Sequence, residues 1–207
     1  MTYRFLFAIL AFVLSGATWS ADLGPDALAK SVTDEVLAIV RADKDLQSGN
    51  RKKVLELVES KILPHFNFTR MTQLAMGRNW RQASPEQRKV LVVEFRTLLV
   101  RTYTAAFTQY RNETIDYRPA RMKPGDTDVV VQSFVHRPGA QPVAVDYSME
   151  KTSDGWKVYN VKIEGVSLVE TYRNTFNTEV QKSGVDGLIR TLTERNRELA
   201  QQQVQGG

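Results

Sequence analysis

Three observations predict an α+β fold for this chain. Helical spacing of apolar residues dominates the first half, the period then falls from 3.6 to 2 over four consecutive stretches, and helical spacing returns to the end. Short turn-forming connections between the four stretches make them an antiparallel meander of about four strands rather than parallel crossover units. A twisted sheet of this kind, wrapped around a long helix, leaves a cone that can stay open at one end.

Residues 1–21 read as a secretory signal peptide: Arg4 is the positive n-region and Phe5–Leu14 an apolar run of about ten residues, half of the roughly 20 needed to span a bilayer. Two small-x-small sites, Ser15-Gly16-Ala17 and Thr18-Trp19-Ser20, leave the cleavage position open. After the leader, Gly24-Pro25 opens a helix, with proline tolerated in the first turn, and Val32, Val36, Ile39 and Val40 repeat at helical spacing. Gly49-Asn50 breaks it, Asn50 caps a second helix with a Val54, Leu55, Val58, Ile62 stripe, and Pro64 ends that helix. Phe66–Met76 is a third short helix closed by Gly77.

Ser84-Pro85-Glu86-Gln87 is a strong helix start, with Ser84 as cap, Pro85 at the first helical position and Gln87 completing a capping box. The helix it opens runs to about Tyr110. Its apolar positions form two adjoining sectors spanning roughly 200°, against about 100° for an ordinary surface helix. Two apolar surroundings are implied: the sheet on one side, and helices or a ligand on the other. The same pattern fits a central core helix with no ligand.

Thr114–Met122, Asp128–Arg137, Pro142–Thr152 and Gly155–Ile163 read as the strands, joined by Pro124-Gly125-Asp126, Arg137-Pro138-Gly139 and Ser153-Asp154-Gly155. The last strand is apolar on one face at Trp156 and Val158, and on the other at Tyr159, Val161 and Ile163. A strand with one dry face keeps one alternation, so this one is covered on both sides or bulged. Ser167-Leu168-Val169-Glu170 is a second capping box, opening a helix to Lys182. Gly184 ends it, Val185–Leu199 is a final amphipathic helix, and residues 201–207 are expected to be disordered. Residues 22–200 form one domain.

Composition narrows the function. The 207 residues carry a net charge of +5, or +4 without Arg4, with cations and anions interleaved. There is no dense basic run and no nucleic-acid motif, which argues against nucleic-acid binding. Absence of cysteine excludes a disulfide framework and thiolate catalysis. Export without disulfides suits a bacterial periplasm. No G-x-S-x-G, H-E-x-x-H or P-loop is present. His65 and His136 are far apart and make no metal site without a third ligand. Asp116 beside Tyr117, and Asp146 beside Tyr147, lie on opposite faces of their strands and share no pocket. No catalytic residue, cofactor or metal is expected. Arg96 falls within the apolar arc of the long helix; it either lays its stem on apolar surface and pairs with a carboxylate, or meets phosphate at a pocket rim.

Met76–Phe107 (MGRNWRQASPEQRKVLVVEFRTLLVRTYTAAF) and Gly155–Phe176 (GWKVYNVKIEGVSLVETYRNTF) resemble the MlaC, or toluene-tolerance, family, supported by His65–Gly77, Pro142–Met149 and Ser183–Leu192. The family often has aspartate where Asn160 stands here. The resemblance implies a nuclear-transport-factor-2-like sheet with an added helical portion. It also implies a periplasmic, monomeric carrier of one diacyl phospholipid, moving it between the outer and inner membranes and maintaining outer-membrane asymmetry. Its implied docking partners are an outer-membrane lipoprotein–porin complex and an inner-membrane ABC transporter bearing an MCE-domain protein. The expected lipid-binding walls are Val131, Val145, Tyr147, Met149, Trp156 and Val158 from the sheet, Phe95, Leu99 and Tyr103 from the long helix, and Leu74 from the short one. Each is equally suited to plain core. Arg96 is the expected headgroup or rim residue. Two other readings stand beside the carrier: a ligand-free adaptor with a solid core, and a pocket enzyme on the same kind of sheet.

Overall fold

The computed structural model describes residues 23–107 and 113–205 of the chain. The expected leader and residues 108–110 of the long helix lie outside the described residues. Helices precede and follow a five-stranded antiparallel sheet, so the class is α+β.

Helix α1 spans Pro25–Ala42, with Pro25 in its first turn. A single turn, α2 (Lys44–Gln47), follows, capped by the Asp43 carboxylate. Helix α3 (Arg51–Leu57) is capped by Asn50 as the sequence predicts, but at Val58–Ile62 it widens into a π-helical turn. Helix α4 runs Phe68–Met76, with Asn67 as its cap, and stops where Gly77 takes φ 53°. Helix α5 is Pro85–Phe107. Its capping box is complete: Gln87 N–H donates to Ser84 Oγ at 3.2 Å, and Ser84 N–H donates to Gln87 Oε1 at 2.9 Å.

The strands are β1 (Thr114–Tyr117), β2 (Asp128–His136), β3 (Val143–Thr152), β4 (Gly155–Ile163) and the two-residue β5 (Val166–Ser167), in the order 1-2-3-4-5. Strand β4 is both bulged and covered on two sides. Met149 pairs with Val158 and Ser148 with Asn160, so Tyr159 is the extra residue. The bulge resets the alternation: Trp156, Val158 and Val161 pack on one face, while Tyr159 packs with the helices on the other. Glu164 and Gly165 both adopt positive φ, 49° and 79°, making the tight turn into β5.

Helix α6, Leu168–Gln205, carries one non-helical residue, Gly184 (φ 71°), at the break the sequence predicts. Its start is stitched to β4: Glu170 N–H donates to Ser167 Oγ, and Ser167 Oγ meets Asn160 Oδ1 at 3.0 Å. The tail expected to be disordered from Gln201 is instead helical through Gln205, since no glycine or proline interrupts Gln201–Gln205.

Three apolar clusters result. The largest joins α4, α5 and α6, with Phe95 meeting Phe176 and Tyr172 edge-on at 5.0 Å. A second lies on the opposite, concave sheet face around Val131, Met149 and Trp156. The third, Val36, Leu46, Val54, Leu57 and Val58, holds α1 to α2 and α3. Helix α4 is seated on the outer sheet face by a polar cluster. Arg70 donates to Glu150 (2.6 Å) and Asp128 (2.7 Å), its guanidinium carbon lies 3.6 Å from the Tyr159 ring centroid, and Tyr159 donates to Asp128 at 2.6 Å. Burial and the Asp128 carboxylate push the Tyr159 phenol up to about 12.

Candidate functional site: an apolar cavity under the first helix

Strand alternation sends Val143, Val145, Tyr147 and Met149 of β3 to the concave face, joined there by Ile115 and Tyr117 of β1, Val135 of β2, and Val158 and Ile163 of β4. Helix α1 lies across this face. Its Leu28, Ala29, Val32, Thr33, Val36, Leu37 and Val40 recur three and four apart, which on a helix is a single stripe. Ile62, His65 and Phe66 close a side. Between them lies a cavity of about 460 Å³ with an overwhelmingly apolar wall.

Polar groups in this wall are few and mostly bonded to one another. Thr33 Oγ1 and the Tyr117 hydroxyl are 2.6 Å apart, linking roof to sheet. Tyr117 stacks on Tyr147 with centroids 6.5 Å apart and hydrogen bonds to it. Tyr147 also bonds Ser133, whose hydroxyl donates to the Val145 carbonyl at 3.0 Å. Burial pushes both phenols well above the ordinary tyrosine range, so they stay neutral hydroxyls. Burial, and then Lys157, hold the His65 imidazole below its ordinary value. At the strand ends, Glu113 and Arg137 line the cavity 3.4 Å apart. A wall this apolar, with neutral hydroxyls bonded to one another and the Glu113 carboxylate held by Arg137, suits an apolar ligand. Among the described residues, no group of three His, Asp or Glu side chains could hold a metal ion, and no helix is long and apolar enough to cross a membrane.

The sequence-predicted wall divides three ways. Val145, Tyr147, Met149 and Val158 line the cavity. Val131 and Trp156 lie in the buried cluster of the same sheet face without lining it. Leu74, Phe95, Leu99 and Tyr103 belong to the helical core on the other side of the sheet and do not line this cavity. Leu91, Phe95, Leu98, Leu99 and Tyr103 of the wide α5 arc pack with α4 and α6, Val93 faces solvent, and none of the described α5 residues lines the cavity. Arg96 is not at the rim either: it pairs with Glu59 of the π-helical turn, and its guanidinium lies 5.7 Å from the Phe68 ring. The roof, α1, was absent from the expected wall although its stripe is plain in the sequence. The missed signal is that this stripe serves a helix that buries only Pro25 and Val36.

Comparison with known proteins agrees with this architecture. The family model described as MlaC protein matches residues 30–194. The "Intermembrane phospholipid transport system binding protein MlaC" of Haemophilus influenzae is 24% identical over 190 residues, covering 88% of this chain and 89% of its own. The "Toluene tolerance protein ttg2D" of Pseudomonas putida is 25% identical over 163 residues, covering 78% of this chain and 75% of its own. A solved phospholipid-binding protein from Ralstonia solanacearum, in complex with a phospholipid, is 47% identical, with a TM-score of 0.79 over 86% of this chain and 99% of its own.

Proposed function

We propose that this chain, which belongs to the MlaC protein family, is a periplasmic carrier that holds the acyl chains of a diacyl phospholipid between α1 and the concave sheet face. The observation that carries the reading is the apolar cavity of about 460 Å³ in a fold shared with a phospholipid-bound protein at 47% identity. The ligand-free adaptor needs a solid core, which this cavity argues against; among the described residues, a pocket enzyme would have only His65 and the Arg137-paired Glu113 as bases in an otherwise apolar wall.

Two acyl chains hold about 30 methylenes, each worth roughly 0.8 kcal/mol on leaving water, so a free phospholipid is stranded in its bilayer. An apolar wall comparable to the membrane makes exchange nearly balanced and lowers the barrier of crossing water. Direction then comes from outside the carrier, such as ATP use at an inner-membrane partner. The proposed partners are an outer-membrane lipoprotein–porin complex and an inner-membrane ABC transporter with an MCE-domain protein. Residues 1–21 serve as the export signal.

Helix α1 buries only Pro25 and Val36 and reaches β1 through the Thr33–Tyr117 bond, so it is the part of the wall best suited to shift as acyl chains enter. The headgroup stays outside, with Arg137 at the rim as its cationic neighbour.

A phospholipid carrying a nitroxide on its acyl chain tests this reading. Methyl signals of Val32, Val36 and Val145 should broaden first, and those of Leu91 and Leu99 last. Broadening centred on the helical core, or none at all, would contradict it.

A further inference from the structure

Away from the cavity, the helical layer carries a concentration of fixed positive charge. The turn that joins α4 to α5, Gly77–Arg81, and the start of α5 hold Arg78, Arg81, Arg88 and Lys89; the carboxylates beside them are Glu86 and Asp186, the latter accepting from Gln87 Nε2 at 2.6 Å. Arg173 of α6 lies against the same turn, with its Cδ and Nε 4.0 Å from where a side chain on Gly77 would begin. Among the described residues, none of these four arginines forms an ion pair with a carboxylate, whereas Arg70, Arg96, Arg137 and Arg195 all do. None of the four lines the cavity.

Two of them are pinned. Arg88 Nε donates to the Trp80 carbonyl at 3.0 Å, with its guanidinium carbon 5.2 Å from the Trp80 ring centroid. Arg173 Nε donates to the Leu74 carbonyl at 2.9 Å. A guanidinium has five N–H donors in a rigid plane, so holding the Nε–H fixes that plane and leaves the outer fork free. The turn beneath is itself braced: the buried Asn79 donates to Asn177 of α6 at 3.2 Å and accepts from Gln82 at 3.2 Å. The surface is pre-organised for planar, bidentate anions before any arrives.

We infer that this arginine corner, built on Arg78, Arg81, Arg88 and Arg173, docks an acidic face of a protein partner through carboxylates. A membrane is the poorer match. Interfacial binding combines charge with inserted Trp, Phe or Leu side chains; here Trp80 lies half-buried against Arg88, and the nearest exposed apolar side chains are only Val90 and Val93, further along α5. Arginine enriched beside a part-buried aromatic is instead the composition of protein interfaces. The inference does not depend on what the cavity holds, and its test reads no cargo.

The experiment titrates the purified protein with a ten-residue glutamate peptide at low salt, in parallel with phosphatidylglycerol vesicles, and follows arginine Nε–Hε signals. The Arg88 and Arg173 signals should move with the peptide. Arg78→Ala with Arg81→Ala should weaken binding roughly tenfold, while Arg118→Ala with Arg121→Ala, an equal change in charge elsewhere, should leave it within about twofold. Arg88→Lys with Arg173→Lys keeps the charge and loses the fork, and should also weaken it. Equal losses in the two alanine pairs would reduce the effect to net charge and overturn the inference. So would shifts at Arg88 and Arg173 caused by the vesicles and not by the peptide.

Discussion

Phe95 and Val36 are both buried apolar residues on helices, yet their surroundings differ. Phe95 sits between α4 and α6 with aromatic rings on two sides, in a cluster closed all round. Val36 has α2 and α3 on one side and open cavity on the other. The helical core gains its stability from contacts among its own residues. The cavity region keeps an apolar wall with too few partners, which is what a site for apolar cargo requires. Substitutions should therefore cost stability in the first region and binding in the second.

The largest expected effect is in the core. Phe95→Ala should lose about 3–5 kcal/mol in denaturant unfolding, because the closed cluster cannot collapse around the gap. Leu99→Arg should abolish folding outright, since the charge would be buried without a partner. If either variant stayed near wild-type stability, the two regions would not differ as described. Val145→Arg should do the opposite: the guanidinium can extend through the cavity, so the fold survives while phospholipid loading falls at least tenfold. Tyr117→Phe removes the hydroxyl that meets Thr33. It should cost about 1 kcal/mol and speed lipid exchange, read by transfer between labelled vesicles. Arg96→Gln breaks an ion pair that is part-exposed, so it should cost at most about 1 kcal/mol and leave loading unchanged. A loss of loading there would return Arg96 to the rim.

The smallest effect is acid-dependent. His65 is held below its ordinary value of about 6.5, so folding favours the neutral ring. Its contribution is complete above about pH 6.5 and is lost as pH falls through the lowered value. His65→Gln should make the stability profile shallower on the acid side and nowhere else.

Much of this contrast was legible in the sequence on the sheet side. Period 2 through Val143, Val145, Tyr147 and Met149 tells which residues share a face, and the change of phase between Val158 and Val161 announces the bulge. Capping boxes at Ser84 and Ser167 located two helix starts because cap and partner are three residues apart. What a helical stripe faces is not local. The 200° arc of α5 reads the same whether a ligand, neighbouring helices or solvent lies against it; α4 and α6 take the Leu91, Phe95, Leu99 sector and Val93 faces solvent. The α1 stripe was visible but could not be assigned to a roof, since its opposite wall begins at Ile115. The carboxylate that claims Arg96 is 37 residues away, at Glu59, beyond any spacing rule.

Native mass spectrometry of the protein after incubation with phospholipid vesicles tests the central claim most directly, with the Val145→Arg and Arg96→Gln variants measured alongside. The account predicts one phospholipid per chain for the wild type and for Arg96→Gln, and a bare mass for folded Val145→Arg. A bare wild-type mass, or an undiminished adduct in folded Val145→Arg, would contradict it.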